Sequence, residues 1–225
     1  MSEKGDFCLL SFRRAALDGE DVAALISSLH FGERETERLS KIKNSNSLAS
    51  SLCALLCLQE LVLSLGLGER DLTIIRDENG KPRFESLPLC FSISHSGDLC
   101  TVALSSKNVG IDLEFINASR NTSAIAKRFF SAEERLSIEC SDSPSDAFFS
   151  AWTRKEALAK LSGAGLVSIC AGSLKAEKNS FSEYAIELDG KRAALSVCRS
   201  QDSKDNAADI EIRNTVGEEL RIRKI

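Results

Sequence analysis

Val109-Gly110-Ile111-Asp112-Leu113-Glu114-Phe115 follows the polar break Ser105-Ser106-Lys107-Asn108 and reads as a strand with two unlike faces. Side chains alternate across a strand, so Asp112 and Glu114 share one face while Ile111, Leu113 and Phe115 fill the other. On either side of this break the chain repeats one plan, a strand, then helices, then several strands. That is an α+β pattern occurring twice. It predicts an N-terminal α+β subdomain over 1–105 and a C-terminal one over 106–225, the second carrying the acids.

In the first half, the apolar run Phe7–Phe12 precedes a helical pattern through Val22, Leu25, Ile26 and Leu29. A charged helix follows over Gly32–Lys43, and Asn44-Ser45-Asn46-Ser47 caps a long helix from Leu48 to Leu65. Leu72–Arg76 is strand-like, and Asn79-Gly80 signals a hairpin turn. Two further strands are expected over Cys90–Ser94 and Cys100–Leu104. In the second half, helices are expected over Ser123–Phe130, Ala132–Cys140 and Pro144–Leu161, with Ser131 and Glu134 in capping-box spacing. Strands are expected over Leu166–Cys170, Tyr184–Leu188, Ala194–Cys198, Ile210–Ile212 and Leu220–Ile222.

Composition narrows the function. The 225 residues are 43% hydrophobic, 28% charged and 6% aromatic, which excludes disordered, collagen-like and coiled-coil chains. Lys plus Arg number 29 against 33 Asp plus Glu, a net charge of −4, so a general nucleic-acid binder is excluded. Any anion site must be a local cluster. The acidic start Met1–Asp6 is unlike the basic region of a secretory signal, and the expected location is cytoplasmic. Leu52–Leu67, broken by Gln59 and Glu60, reads as a buried helix and not a membrane span. Eight cysteines without a C-x-x-C and only two histidines leave little for zinc. Free thiols are expected, with Cys53 and Cys57 as small core residues.

Three acids stand out. Asp112 and Glu114, side by side, each favour a proton unless a cation lies between them. The plainer alternative is a solvent-facing strand edge. Glu156 lies in Trp152-Thr-Arg-Lys-Glu-Ala-Leu-Ala-Lys160, where Trp152, Glu156 and Lys160 share one helix face. A Glu156–Lys160 surface pair would explain the last two, but the indole indicates a partly covered face. Two strand carboxylates and one helix carboxylate make an oxygen-rich site suited to Mg²⁺. Lys155 and Lys160 would add positive charge beside it, a combination belonging to phosphoryl-group chemistry. In Phe91-Ser-Ile-Ser-His-Ser-Gly-Asp98 a Ser–His nucleophile pair is poorly supported: strand neighbours point apart, and no G-x-S-x-G elbow is present. Ser94 and His95 read better as phosphate ligands, with a structural histidine as the alternative. Lys81 and Arg83 follow the hairpin turn, where solvated basic residues are the plain reading. His30 carries no functional signal.

Taken in order, Gly80-Lys81-Pro82, Phe91–Ser96, Val109–Glu114, Phe130-Ser-Ala-Glu-Glu134 and Trp152–Lys160, followed by Gly163-Ala-Gly-Leu166, resemble the 4′-phosphopantetheinyl transferases of the surfactin-synthetase-activating type. The resemblance implies a pseudo-dimer of two similar α+β subdomains with the active site in the cleft between them. It implies transfer of the phosphopantetheine arm of coenzyme A to a serine of an apo acyl or peptidyl carrier protein. Adenosine 3′,5′-bisphosphate would be released, with Mg²⁺ required and a monomer expected. Carried over by position, Asp112, Glu114 and Glu156 would face the metal. Lys155 and Lys160 would contact coenzyme A phosphates near the metal, and Lys81, Ser94 and His95 the 3′-phosphate or its surroundings. Glu156 and Lys160 would be the catalytic pair. The acceptor of the serine proton stays open among Glu156, Glu134 and a metal-bound water, with Glu134 least favoured.

Two departures from the family pattern are visible. A basic residue expected near position 47 or 48 is absent, with Arg34, Arg38 or Lys43 as substitutes, and Ser92 stands where Asn is common. The alternatives are a non-catalytic coenzyme A- or carrier-protein-binding relative and a Mg²⁺-dependent phosphohydrolase. Arg120, Lys127 and Arg128 would form a basic rim for an acidic carrier.

Overall fold

Two long helices, each laid on its own four-stranded sheet, organise the chain. The structure is a computed structural model that describes residues 6–15, 17, 21–68, 71–165, 179–200, 209–217 and 219–225. The strand expected over Leu166–Cys170 lies outside the described residues.

The first sheet has the order β4-β5-β1-β9, built from β1 (Cys8–Arg14), β4 (Cys90–Ser96), β5 (Leu99–Ser105) and β9 (Ile210–Asn214). β1 pairs antiparallel with β5 and parallel with β9, so this sheet takes its fourth strand from late in the chain. Helix α3 (Ser45–Ser64) lies on it, preceded by α1 (Val22–Ser27) and α2 (Glu33–Ser40). Asn44 caps α3 by accepting the Ser47 N–H at 2.9 Å. Leu52, Leu55, Leu58 and Leu61 pack with Val102 and Leu104 of β5 and Leu9 of β1 in one core. Each such leucine contributes roughly 1.5–3 kcal/mol by leaving water. α3 has the length and mean hydropathy, 1.6, of a membrane span, yet 61% of its apolar window is buried within the protein. A small hairpin of β2 (Ile74–Arg76) and β3 (Pro82–Phe84) turns at Asp77–Gly80, as Asn79-Gly80 predicts.

The second sheet, β10-β7-β8-β6, is antiparallel throughout and uses β6 (Val109–Phe115), β7 (Asn179–Leu188), β8 (Lys191–Ser200) and β10 (Leu220–Lys224). Helix α6 (Pro144–Ser162) covers it, after α4 (Ser123–Phe129) and α5 (Ala132–Glu139). The expected capping box at Ser131 and Glu134 opens α5. The fold is α+β, two sheets each packed with helices. A second core joins the sheets: Leu10 and Phe12 of β1 and Ala103 of β5 meet Ile111, Leu113, Leu195 and Val197. β5 is therefore covered on both faces, which is why all seven of its residues are buried.

Where β4 and β6 meet, serines take the place of a backbone ladder. Ser92, Ser94 and Ser96 Oγ accept the N–H groups of Ile111, Leu113 and Phe115 at 3.1, 3.1 and 2.9 Å. Residues 92, 94 and 96 share one strand face, and 111, 113 and 115 present their N–H groups on one edge, so the register is set by period two. The described cysteines are free thiols, and Cys53 and Cys57 are fully buried in the α3 core. Cys170 lies outside the described residues.

Gly110 sits where α6 crosses β6. A Cβ there would lie 2.0 Å from the Ala157 carbonyl oxygen and 2.3 Å from the Leu161 nitrogen, both backbone atoms. Gly110→Ala should therefore push α6 off the sheet and destabilise the protein by about 3 kcal/mol. Urea denaturation measures this, and a loss below 1 kcal/mol would contradict the close approach.

Candidate active site

The strand β6 and the helix α6 bring the three acids to one cavity. It has a volume of about 650 Å³, and Asp112, Glu114, Glu156 and Lys160 line it together with Ser94, His95 and Lys81. Even-numbered residues of β6 face α6, so Gly110 permits the close approach and Asp112 and Glu114 receive the helix face bearing Glu156 and Lys160. Trp152, one turn earlier on that face, is buried among Phe129, Phe130 and Phe148 and anchors the helix. The covered face expected from the indole is thus present.

Ser94 is the polar hub. Its Oγ donates to Asp112 Oδ1 at 2.9 Å, and accepts Leu113 N–H and Lys160 Nζ, the latter at 3.0 Å. One proton and both lone pairs are used, so this hydroxyl is a ligand holder and not a nucleophile. Lys160 Nζ also lies 2.7 Å from Asp112 Oδ1, across the cavity and not along its own helix. Asp112 is 3% exposed, and its Oδ2 is buried without a hydrogen-bond partner. Burial and the Asp112 charge raise the Glu114 carboxyl above its ordinary range. Burial, then Asp112, pushes Glu156 up to about 7, against the opposing pull of Lys160. Three carboxylates beside the Lys160 ammonium and the Arg120 guanidinium, which lies 3.6 Å from Glu114, leave this wall short of positive charge.

The donor set suits a hard cation: carboxylate oxygens, one of them orphaned, in a cavity open to additional ligands. Among the described residues no three acid, histidine or cysteine side chains are grouped closely enough to hold a metal ion as they stand.

The other expected residues fall into two groups. Lys81 Nζ donates to Leu161 O at 2.7 Å and to Asn108 Oδ1 at 2.9 Å, capping α6 beside the left-handed Gly163, whose φ is +70°. Burial lowers the Lys81 ammonium's affinity for its proton. His95 is exposed on the cavity rim, and burial followed by the Lys160 charge lowers its pKa. Lys155 does not line the cavity. It pairs with Glu134 at 2.8 Å and lies 5.1 Å above the Phe130 ring. Burial raises Glu134, but hydrogen bonds from Lys155 and Ser131 outweigh it and hold the carboxyl below its ordinary range.

Sequence reasoning named Arg38 only as a substitute cation and missed Glu35, Arg76 and Asn108. Glu35 and Arg38 stand three apart on a helix, a readable signal. Arg76 reaches the same carboxylate from 41 residues away, and only the fold shows that.

Comparison with known proteins agrees with this geometry. Residues 108–212 match the 4′-phosphopantetheinyl transferase superfamily. That matched segment makes up less than half of the chain. It holds Asp112, Glu114, Glu134, Lys155, Glu156 and Lys160. A 4′-phosphopantetheinyl transferase of Bacillus subtilis is 41% identical over 92 residues, 40% of this chain and 40% of that one. The 4′-phosphopantetheinyl transferase AcpT of Escherichia coli K12 is 39% identical over 94 residues, 40% of this chain and 48% of the relative. The 4′-phosphopantetheinyl transferase gsp of Aneurinibacillus migulanus is 30% identical over 136 residues, 60% of this chain and 56% of the relative. The chain thus spans between 40% and 56% of the length of these relatives.

The raised carboxyls fix a pH dependence. Glu156 moves from 4.5 to about 7 on folding, so the folded state holds more protons over that range and stability falls as pH rises through it. In EDTA, Glu156→Gln should raise the melting temperature at pH 8 and leave it unchanged near pH 4. Equal melting curves at pH 8 would contradict the burial of this charge.

Proposed function

We propose that the protein transfers the 4′-phosphopantetheine arm of coenzyme A to a serine of an apo acyl or peptidyl carrier protein, with Mg²⁺. The observation that carries this reading is the orphaned Asp112 Oδ2 beside Glu114, Glu156 and Lys160 in one cavity. The match of residues 108–212 to the superfamily supports it, as do the names of the three relatives. The two-subdomain division at 105/106 and the monomeric state belong to the same reading.

Asp112, Glu114 and Glu156 would hold the cation, whose charge, when bound, offsets that of the pyrophosphate. Lys160 stands beside them and would neutralise phosphate oxygens once ligands draw it from Asp112. The carrier serine Oγ attacks the β-phosphorus of coenzyme A. A new P–O bond forms, the pyrophosphate P–O bond breaks, and adenosine 3′,5′-bisphosphate leaves. Glu156 lines the same cavity and would take the serine proton with the carboxylate oxygen not turned to the cation. Glu134 fits this role less well, since Lys155 and the Ser131 N–H occupy its oxygens. Lys81 and His95 would position coenzyme A, Ser94 would do so through its hold on Asp112 and Lys160, and Lys155 would act from the edge of the site.

Intact-protein mass spectrometry of apo acyl and peptidyl carrier proteins with coenzyme A and Mg²⁺ tests the reading. The expected result is a gain of one phosphopantetheine arm, abolished by EDTA and slowed at least about 100-fold in Asp112→Asn. No gain with coenzyme A binding retained would favour the non-catalytic relative. A separate measurement addresses the cation: Mg²⁺ should raise the melting temperature of the wild type at pH 8 and not that of Asp112→Asn. An equal rise in both would overturn the metal assignment.

A further inference from the structure

The second sheet ends, far from β6, in an edge with polar backbone groups to spare. β10 is the terminal strand in the order β10-β7-β8-β6, and no described strand pairs with its far side. The Ile225 N–H donates to Glu183 O at 3.0 Å, so residues 221, 223 and 225 turn their backbone groups to β7. Leu220, Ile222 and Lys224 therefore turn theirs outward. The chain satisfies Leu220 itself: its N–H donates to Gly217 O at 3.3 Å, and its carbonyl accepts Asn214 Nδ2 at 3.4 Å. The N–H and C=O groups of Ile222 and Lys224 face away from the sheet, two residues apart as in a ladder.

The side chains give this edge a sign. Arg223 is in register with Ala185, Ala194 and Glu114, and Arg221 with Glu187 and Arg192. Both arginines thus stand on the sheet face that carries α6. α6 lies over β6 and β8. Beside it a hollow of about 490 Å³ is lined by Asp146 and Ser150 of α6, Ala185, Ala194 and the two arginines. Arg192 at this hollow is paired with Asp146. The exposed side chains of Arg221, Arg223 and Lys224 make no ion pair or hydrogen bond among the described residues. Charge on an edge also keeps sheets from joining. A row of cations does so against a second copy of the same edge, yet it attracts a strand that carries acids.

We propose that the far edge of β10 docks an extended acidic segment of a partner protein as a fifth strand of the second sheet. The pleat dictates the pattern of that segment. Residues opposite Arg221 and Arg223 share their face, beside the hollow, and are acidic. The residue between them lies opposite Ile222, which packs against the core between the sheets, and is apolar. The edge hydrogen bonds come from this apolar residue and from the one opposite Lys224, not from the acids. Two strands separate this edge from β6, so the docking surface is distinct from the cavity and does not rest on the transfer reading.

Fluorescence anisotropy of a labelled Thr-Glu-Val-Glu-Val-Glu-Thr peptide titrated with the full chain tests this. Saturable binding is expected, weakened by added salt. Arg221→Ser combined with Arg223→Ser should weaken it about ten-fold, through the loss of two exposed ion pairs. Both positions are exposed, so the melting curve of the double variant should match that of the wild type. N-methylation of the two valines, whose N–H groups would face β10, should abolish binding. N-methylation of the glutamates should be tolerated. Peptides methylated at either set that bind alike would reduce the contact to charge attraction and overturn strand addition. No saturable binding, or equal binding of Thr-Lys-Val-Lys-Val-Lys-Thr, would leave the cations as edge protection and overturn the proposal. A wild type that sediments as a dimer, with the double variant a monomer, would assign the edge to a second copy and overturn it as well.

Discussion

Three serine hydroxyls hold the two sheets edge to edge. Ser92, Ser94 and Ser96 accept the outward N–H groups of Ile111, Leu113 and Phe115, so the edge N–H groups of β6 in one sheet are satisfied by side chains of β4 in the other. A direct backbone ladder would bring β4 and β6 to about 4.8 Å. Interposing a side chain keeps them further apart and gives the joint polar atoms of its own. Ser94 therefore serves two structures at once: the junction through Leu113 N–H, and the site through Asp112 and Lys160. Losing that hydroxyl would leave a buried N–H without its partner and Asp112 Oδ1 with Lys160 alone.

The cavity at this junction sorts charge by wall. Asp112, Glu114 and Glu156 face Lys160, an excess of negative charge that burial turns into raised carboxyl pKa values. On the other wall Arg38 and Arg76 flank Glu35, an excess of positive charge. A chain of net charge −4 can thus hold a polyanion beside a cation, because the potential is set locally by fixed side chains.

Features governed by local periodicity were legible in the sequence. The shared face of Asp112 and Glu114, the helix face of Trp152, Glu156 and Lys160, the Asn79-Gly80 turn and the Ser131–Glu134 capping box follow from spacing alone. Long-range pairings were not. Nothing local shows that Lys81 caps α6 across 80 residues, that β9 runs parallel to β1, or that Arg76 meets Glu35. Lys155 illustrates a subtler limit. Its adjacency to Glu156 suggests one shared site, but consecutive helix residues point about 100° apart. The structure accordingly turns Lys155 towards Glu134 on α5.

Gly110 connects these levels. It lies two residues before Asp112 on the same strand face, and its missing side chain lets β6 touch the α6 backbone at Ala157 and Leu161. Those contacts fall one residue after Glu156 and one residue after Lys160 in sequence. A larger residue would separate strand from helix, rehydrate the space between the carboxylates and let Lys160 swing out to solvent. The raised pKa of Glu156 and the orphaned Asp112 oxygen are therefore consequences of backbone packing as much as of the acids themselves. A hydrogen atom at position 110 sets how closely three negative charges are held.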